Sequence, residues 1–286
     1  MSKGAPKFDG KSSSQPRRTR PAPKPPLRLM TTTLWEYPSQ HYDAYVDDKG
    51  NVIKSVVKEA PGGRGMQGDK EYAGATPSWV IWQLLRRYTR ENDTVVDPMC
   101  GSGTTLDVCT DLKRNGIGFD LAPSRPEIRH ADSRTIPLDK ASADFVFIDP
   151  PYSTHIDYSD DPRCIGKLDA APDSEDGGKA YHDSMARVIA EIDRILKPRR
   201  YMALYVSDSW RKRRGEPGAG GGIFMPIGFD LFALMQKRFR PVDIISVVRH
   251  NQKLGRGNWH KAAEEGNFFL RGFNYLFIMR KPGPRA

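Results

Sequence analysis

The residues best suited to chemistry stand together in Asp149-Pro150-Pro151-Tyr152, directly after the apolar run Phe145-Val146-Phe147-Ile148. A short apolar run of this kind reads as a buried strand that delivers a carboxylate, two prolines and an aromatic ring to one edge of a sheet. Proline fixes φ and has no N–H, so the loop is stiff and rich in hydrogen-bond acceptors. An amino group on a base ring is a poor nucleophile, because its lone pair is delocalised into the ring. The Asp149 carboxylate and the Pro150 carbonyl can hold its two hydrogens and favour a tetrahedral nitrogen whose lone pair faces a methyl sulfonium. In-line displacement then needs alignment and electrostatics and little else. Tyr152 offers a face on which an unstacked base can rest.

A second constellation, Asp97-Pro98-Met99-Cys100-Gly101-Ser102-Gly103-Thr104-Thr105, lies between an expected strand and an expected helix, where an open α/β sheet places its ligand crevice. Gly101 and Gly103 permit a tight turn and close approach of backbone to ligand, and the helix N-terminus offers unpaired N–H groups. A glycine pair also suits a phosphate, but this one lacks the lysine of a P-loop and the third glycine of a dinucleotide fingerprint. Asp97 at the strand end speaks for a cationic ligand. Asp120, about 20 residues past the glycines, can accept hydrogen bonds from a ribose diol. Asp132 follows a weak third strand and is placed to meet an adenine amino group. Each aspartate alone is equally explained as a loop or cap residue; three at successive strand ends form a rim for an adenosine-type ligand.

These loops need a sheet to present them. Thr76-Pro77-Ser78 has the form of a helix start with Thr76 as cap, and Val80, Ile81, Leu84, Leu85 and Tyr88 recur at helical spacing to about Arg90. Strands are expected at 94–96, 117–119, 128–130, 145–148 and 201–206, alternating with helices at 103–115 and 179–196, the latter stopped by Pro198. A helix at 228–238 and strands at 242–248 and 273–279 complete the pattern, which predicts an α/β fold around a mostly parallel sheet.

At 286 residues the chain suits one large domain with appendages. Residues 1–28 carry eight lysines and arginines against Asp9 alone, so most of the formal charge of +10 sits in a Ser-, Pro- and Gly-rich segment. Residues 1–30 are therefore expected to form a disordered basic tail, serving either solubility or loose phosphate contact. Residues 31–70, with the cluster Leu34-Trp35-Glu36-Tyr37-Pro38, read as an N-terminal arm, and 71–286 as the catalytic domain with insertions near 153–178, 207–225 and 249–271. Cys100, Cys109 and Cys164 have no ligand-like or framework spacing, and no cluster suggests a metal. No serine or cysteine is paired with a recognisable base, which removes acyl transfer. No apolar run approaches the roughly 20 residues that span a bilayer, so a cytoplasmic, nucleoid-associated protein is expected.

The paired motifs resemble those of the DNA amino-methyltransferases acting on adenine N6 and cytosine N4. Residues 97–105 resemble that family's cofactor loop, DPF-C-GSGTT, with Met99 in the phenylalanine place, and residues 149–152 match its DPPY motif. The resemblance covers about residues 70–280. It implies S-adenosylmethionine as cofactor and the Rossmann-like methyltransferase fold, doubly wound, with a seven-stranded sheet ending in an antiparallel hairpin. It also implies that the helix opened by Thr76 borders the methionine end of the cofactor. Here the cofactor loop precedes the catalytic loop, whereas many family members with DPPY place the catalytic loop first. An aspartate before Pro-Pro-Tyr is more typical of the adenine enzymes. Cytosine N4 stays open, as do guanine N2 of tRNA or ribosomal RNA, where the same four letters occur, and an idle nucleic-acid-binding protein that keeps the fold.

Double-stranded DNA is the expected partner, with a homodimer and a cognate restriction nuclease left open. Ser207-Asp208-Ser209-Trp210-Arg211-Lys212-Arg213-Arg214 sets an aromatic among four basic residues, and Arg249 to His260 mixes base-reading with backbone-binding side chains. His155, Tyr158, Trp210, Arg211, Arg213, Arg256 and Trp259 are the candidate substrate contacts. Each loop is also explained as solvated surface.

Overall fold

All four residues of Phe145-Val146-Phe147-Ile148 are buried, Phe145 and Phe147 on one face of a sheet and Val146 and Ile148 on the other. Burial on both faces is why this strand reads as an unbroken apolar run. The computed structural model describes residues 24–59, 65–69, 71–211, 223–250, 255 and 257–283, with Arg211 described by its backbone only. In chain order the elements are β1 (Leu34–Trp35), β2 (Ala44–Val46), β3 (Val52–Lys54), α1 (Val56–Glu59), α2 (Ser78–Tyr88), β4 (Thr94–Asp97), α3 (Thr104–Asp111), β5 (Asn115–Asp120) and β6 (Arg129–His130). They continue as β7 (Ala143–Ile148), α4 (Lys179–Ile195), β8 (Leu196–Val206), β9 (Ser209–Arg211), β10 (Ile223–Met225), α5 (Ile227–Gln236), β11 (Arg240–Val248), α6 (Gly257–Glu265) and β12 (Phe273–Arg280).

Eight strands make the main sheet in the order β1-β11-β12-β8-β7-β4-β5-β6. β12 runs antiparallel to β8 and β11, which is the expected terminal hairpin, and the other pairings are parallel. The chain winds from β4 out to β5 and β6, then crosses back to β7 and β8. The carboxyl ends of β4 and β7 therefore flank the switch point where such sheets hold ligands. One apolar cluster packs α4 and α5 on one face; a second packs α2, α3 and the N-terminal arm on the other.

Several expectations are corrected. The sheet has eight strands rather than seven, because Leu34–Trp35 pairs with β11 while the Trp35 ring is buried and its indole N–H bonds to the Thr32 carbonyl at 2.9 Å. Within the tail expected over residues 1–30, Leu27 is ordered: it is buried against the aromatic arm and exchanges backbone bonds with Ala44 and Val46, both at 2.9 Å. Residues 1–23 lie outside the described residues. α3 ends at Asp111, short of 115, where Lys113 takes a positive φ of 56°. β8 starts at Leu196, ahead of Pro198, which falls in the irregularity between the pairs Ala143↔Leu196 and Phe145↔Tyr201, where a strand tolerates proline. Thr76 does not cap α2. Pro77 holds that position and the Ser78 N–H donates to the Gln40 carbonyl at 3.0 Å.

Candidate active site

β7 ends at the switch point and hands its chain directly to Asp149. Both carboxylate oxygens are held: Thr76 Oγ1 donates to Oδ2 at 2.5 Å and Tyr152 Oη to Oδ1 at 2.8 Å. Burial pushes the Asp149 carboxyl up to about 7, opposed by those two hydrogen bonds and by the charge of Arg249. Each oxygen keeps a further lone pair for a donor entering from the cavity. Tyr152 thus positions the carboxylate with its hydroxyl while its ring lines the cavity. Tyr181 Oη donates to the Pro151 carbonyl at 2.7 Å and anchors the loop from the α4 side.

That cavity, about 680 Å³, is lined on one wall by Asp97, Met99, Cys100, Gly101, Thr104 and Thr105 and on the other by Asp149, Tyr152, Tyr205 and Arg249. Asp97 is buried at the end of β4, bonded by the Thr105 hydroxyl and by the Met99 N–H at 3.1 Å, and burial pushes it up to about 7. Asp120 accepts from the N–H groups of Gly101 and Ala122, both at 2.9 Å, and burial raises its pKa as well. A cation between these acids would favour their ionised forms. Gly101 and Gly103 sit at φ 47° and 76°, in the left-handed region open to glycine, and a Cβ on Gly101 would meet the Tyr72 ring at 3.0 Å.

A narrower lobe of about 70 Å³ joins Pro98, Met99 and Asp120 to Leu121, Ala131, Asp132, Ser133, Pro151 and Ile165. Most of these walls are apolar, as a slot for a flat ring should be. The donor set fits S-adenosylmethionine: Asp97 and the glycine turn would hold its amino-acid and sulfonium end, Asp120 its ribose and the narrow lobe its adenine. Asp132 differs from expectation. Its carboxylate is forked by Arg134 at 2.6 to 3.2 Å, which outweighs burial and lowers its pKa, so its side chain braces the slot wall. Thr76 lines the larger lobe but gives its hydroxyl to Asp149.

Two of the expected substrate contacts reach the cavity. His155 lines it and bonds Ser209 Oγ at 3.1 Å, and Tyr158 lines both lobes, stacked on Tyr72 at 6.4 Å. Trp210 instead stands on the β9–β10 hairpin against Phe224 at 5.3 Å, and Trp259 lies on α6; neither lines the cavity. The backbone of Arg211 pairs with Ile223. Arg213 and Arg256 lie outside the described residues.

A family model described as DNA methylase, of N6/N4 type, matches residues 6–129 and 143–285. The chain belongs to that family. Among curated relatives, the type II methyltransferase M2.LlaDCHI of Lactococcus lactis subsp. cremoris is 31% identical over 36% of this chain and 43% of its own length. The type II methyltransferase M.MjaI of Methanocaldococcus jannaschii is 31% identical over 30% of this chain and 29% of its own. The matches thus span less than half of either relative. Among solved structures, TrmN from Thermus thermophilus overlays at TM-score 0.46 and 16% identity, covering 73% of this chain and 50% of that one, too loosely to bear on function.

For this family member, sequence reasoning missed the wall contributed by Tyr37 and His41 of the arm, by Tyr72, and by Tyr205 and Asn274 far along the chain. It also missed how the arm is fastened. Asp111 of α3 accepts from Tyr42 Oη at 2.6 Å, from Ser55 Oγ at 2.8 Å and from Gln67 Nε2 at 3.3 Å, all of them buried. Asp107, one turn earlier, holds the Gly68 N–H at 2.7 Å and a buried Arg125 that also bonds the Ser102 and Gly103 carbonyls. The only legible signal was that both aspartates sit at i, i+4 on a helix otherwise turned to the core.

Proposed function

We propose that this chain transfers a methyl group from S-adenosylmethionine to the exocyclic amino group of a base in DNA, adenine N6 being the leading target. The observation that carries the reading is Asp149, a carboxylate held from both sides at the switch point, facing a cavity that it shares with a glycine turn and a buried acid. When bound, the cofactor supplies a methyl group on a positively charged sulfur. Asp149 accepts a hydrogen of the incoming amine and, with the Pro150 carbonyl, turns its lone pair toward that methyl. Asp97 and Asp120 favour the positive charge before transfer. The Tyr152 ring gives the extruded base a surface to rest on. Family membership supports a DNA substrate, and the aspartate of the catalytic loop supports adenine.

Incubation with methyl-labelled cofactor and duplex DNA, followed by digestion to nucleosides, is expected to yield labelled N6-methyladenine. Label in N4-methylcytosine would keep the mechanism and change the base. Label that enters RNA alone would overturn the DNA assignment.

A further inference from the structure

Side chains alternate along a strand, so register decides which residues share a face. Asp97, Asp149, Tyr205 and Asn274 fall on the face of Val95, Phe147, Ala203 and Leu276, the one covered by α2. The pair Ile148↔Leu204 sets Asp149 beside Tyr205, and the pairs Leu276↔Tyr205 and Val247↔Asn274 set Asn274 on the next strand over. All four line the larger lobe. Strands lie about 4.8 Å apart, so the wall beyond Asp149, away from the cofactor loop, is Tyr205 and then Asn274. A base whose amino group meets Asp149 opposite the methyl donor extends over that wall; this step rests on the function proposed above.

Both residues are almost wholly buried, Tyr205 at 5% and Asn274 at 6% exposure. Asn274 stands diagonal to Tyr205 on the neighbouring strand, and its Oδ1 has no partner among the described residues. A buried acceptor on a cavity wall with no protein partner marks a place made for an incoming group or its water. Tyr205 lines the cavity beside Asp149, where its O–H can donate to a bound group. Adenine and cytosine share one edge next to the amino-bearing carbon: a ring nitrogen that accepts, N1 or N3, beside an NH2 that donates.

We infer that Tyr205, set beside Asp149 by strand register, donates a hydrogen bond to the ring nitrogen flanking the reacting amino group, so that Asp149 and Tyr205 together read the N=C–NH2 edge of the base. That edge is engaged in Watson–Crick pairing within a duplex, so the subsite accepts the base only after it has left its partner. Burial and the neighbouring Asp149 charge raise the Tyr205 pKa, which keeps its proton in place.

The test measures kcat/KM on duplexes carrying adenine or 1-deazaadenine at the target, with cytosine and 3-deazacytosine as the second pair. Wild-type protein is expected to lose about 10- to 100-fold on the deaza base. Tyr205→Phe is expected to lose about as much on the natural base and to show little further penalty on the analogue. Cofactor affinity by calorimetry is expected to stay at the wild-type level in this variant. A wild-type protein indifferent to the ring nitrogen overturns the inference, as does a deaza penalty undiminished in Tyr205→Phe. So does a parallel fall in cofactor affinity, which would assign Tyr205 to the cofactor half of the cavity. Absence of transfer by the wild type to any natural base would instead refute the proposed function itself.

Discussion

Replacing Thr76 with valine keeps the shape of the side chain and removes the hydroxyl that donates to Asp149 Oδ2 at 2.5 Å. Burial places the Asp149 carboxyl at about 7, and the Thr76 bond is among the influences holding it down. A hydrogen bond to a charged group contributes about 1.5–3 kcal/mol, and one pKa unit corresponds to about 1.4 kcal/mol. Losing it should therefore raise the carboxyl by roughly one to two pH units. The proposed reaction uses the ionised form, so wild-type kcat/KM is expected to rise with pH through about 7. For Thr76→Val the same rise should lie roughly one to two pH units higher, with transfer about 5- to 50-fold slower at neutral pH and near wild type on the alkaline plateau. The assay is a pH profile of methyl incorporation into duplex DNA at subsaturating substrate. An unmoved acid limb would refute this account of Asp149, and so would a loss equal at every pH.

Asp97→Asn is expected to weaken cofactor binding at least about tenfold in calorimetry, because a buried charge facing a cation is removed. Asp97 and Asp149 both have folded pKa values raised above the ordinary 3.8 to about 7, so the folded chain binds more protons than the unfolded one between those limits. Stability of the free protein should fall as pH rises from about 4 to about 7, while the cationic cofactor binds more tightly over the same window; thermal melts with and without cofactor would check both. Asp111→Ala strips the shared acceptor from Tyr42, Ser55 and Gln67 and should destabilise the fold by about 3–5 kcal/mol, read from denaturant midpoints. Gly101→Ala, at φ 47° and with its Cβ 3.0 Å from the Tyr72 ring, should impair cofactor binding, and adding Tyr72→Ala should restore part of it.

The two loops proposed to carry the chemistry could be read because each is contiguous: a strand, a turn and the candidate residues follow one another within about ten positions, so local patterning places them. The central strands could be read for the same reason, since burial on both faces leaves an apolar run, as in β7. Thr76 shows where such reading stops. As a local feature it resembles a helix cap, yet its hydroxyl binds a carboxylate 73 positions away. Asp132 likewise lines the narrower lobe by position, but Arg134, two residues on, bonds both its oxygens.

From sequence alone came the fold class, the terminal hairpin, the order of the two loops and the identity of Asp97, Asp120 and Asp149 as strand-end acids. Tertiary structure alone decided that Leu34–Trp35 joins the sheet, that Asp111 anchors the arm, and that Tyr205 stands beside Asp149 with Asn274 on the strand beyond. Backbone propensity and side-chain periodicity act over a few residues and leave a trace in the local sequence. Strand order, register and the pairing of buried polar groups depend on which distant segments meet, and the residues that meet carry no mark of one another.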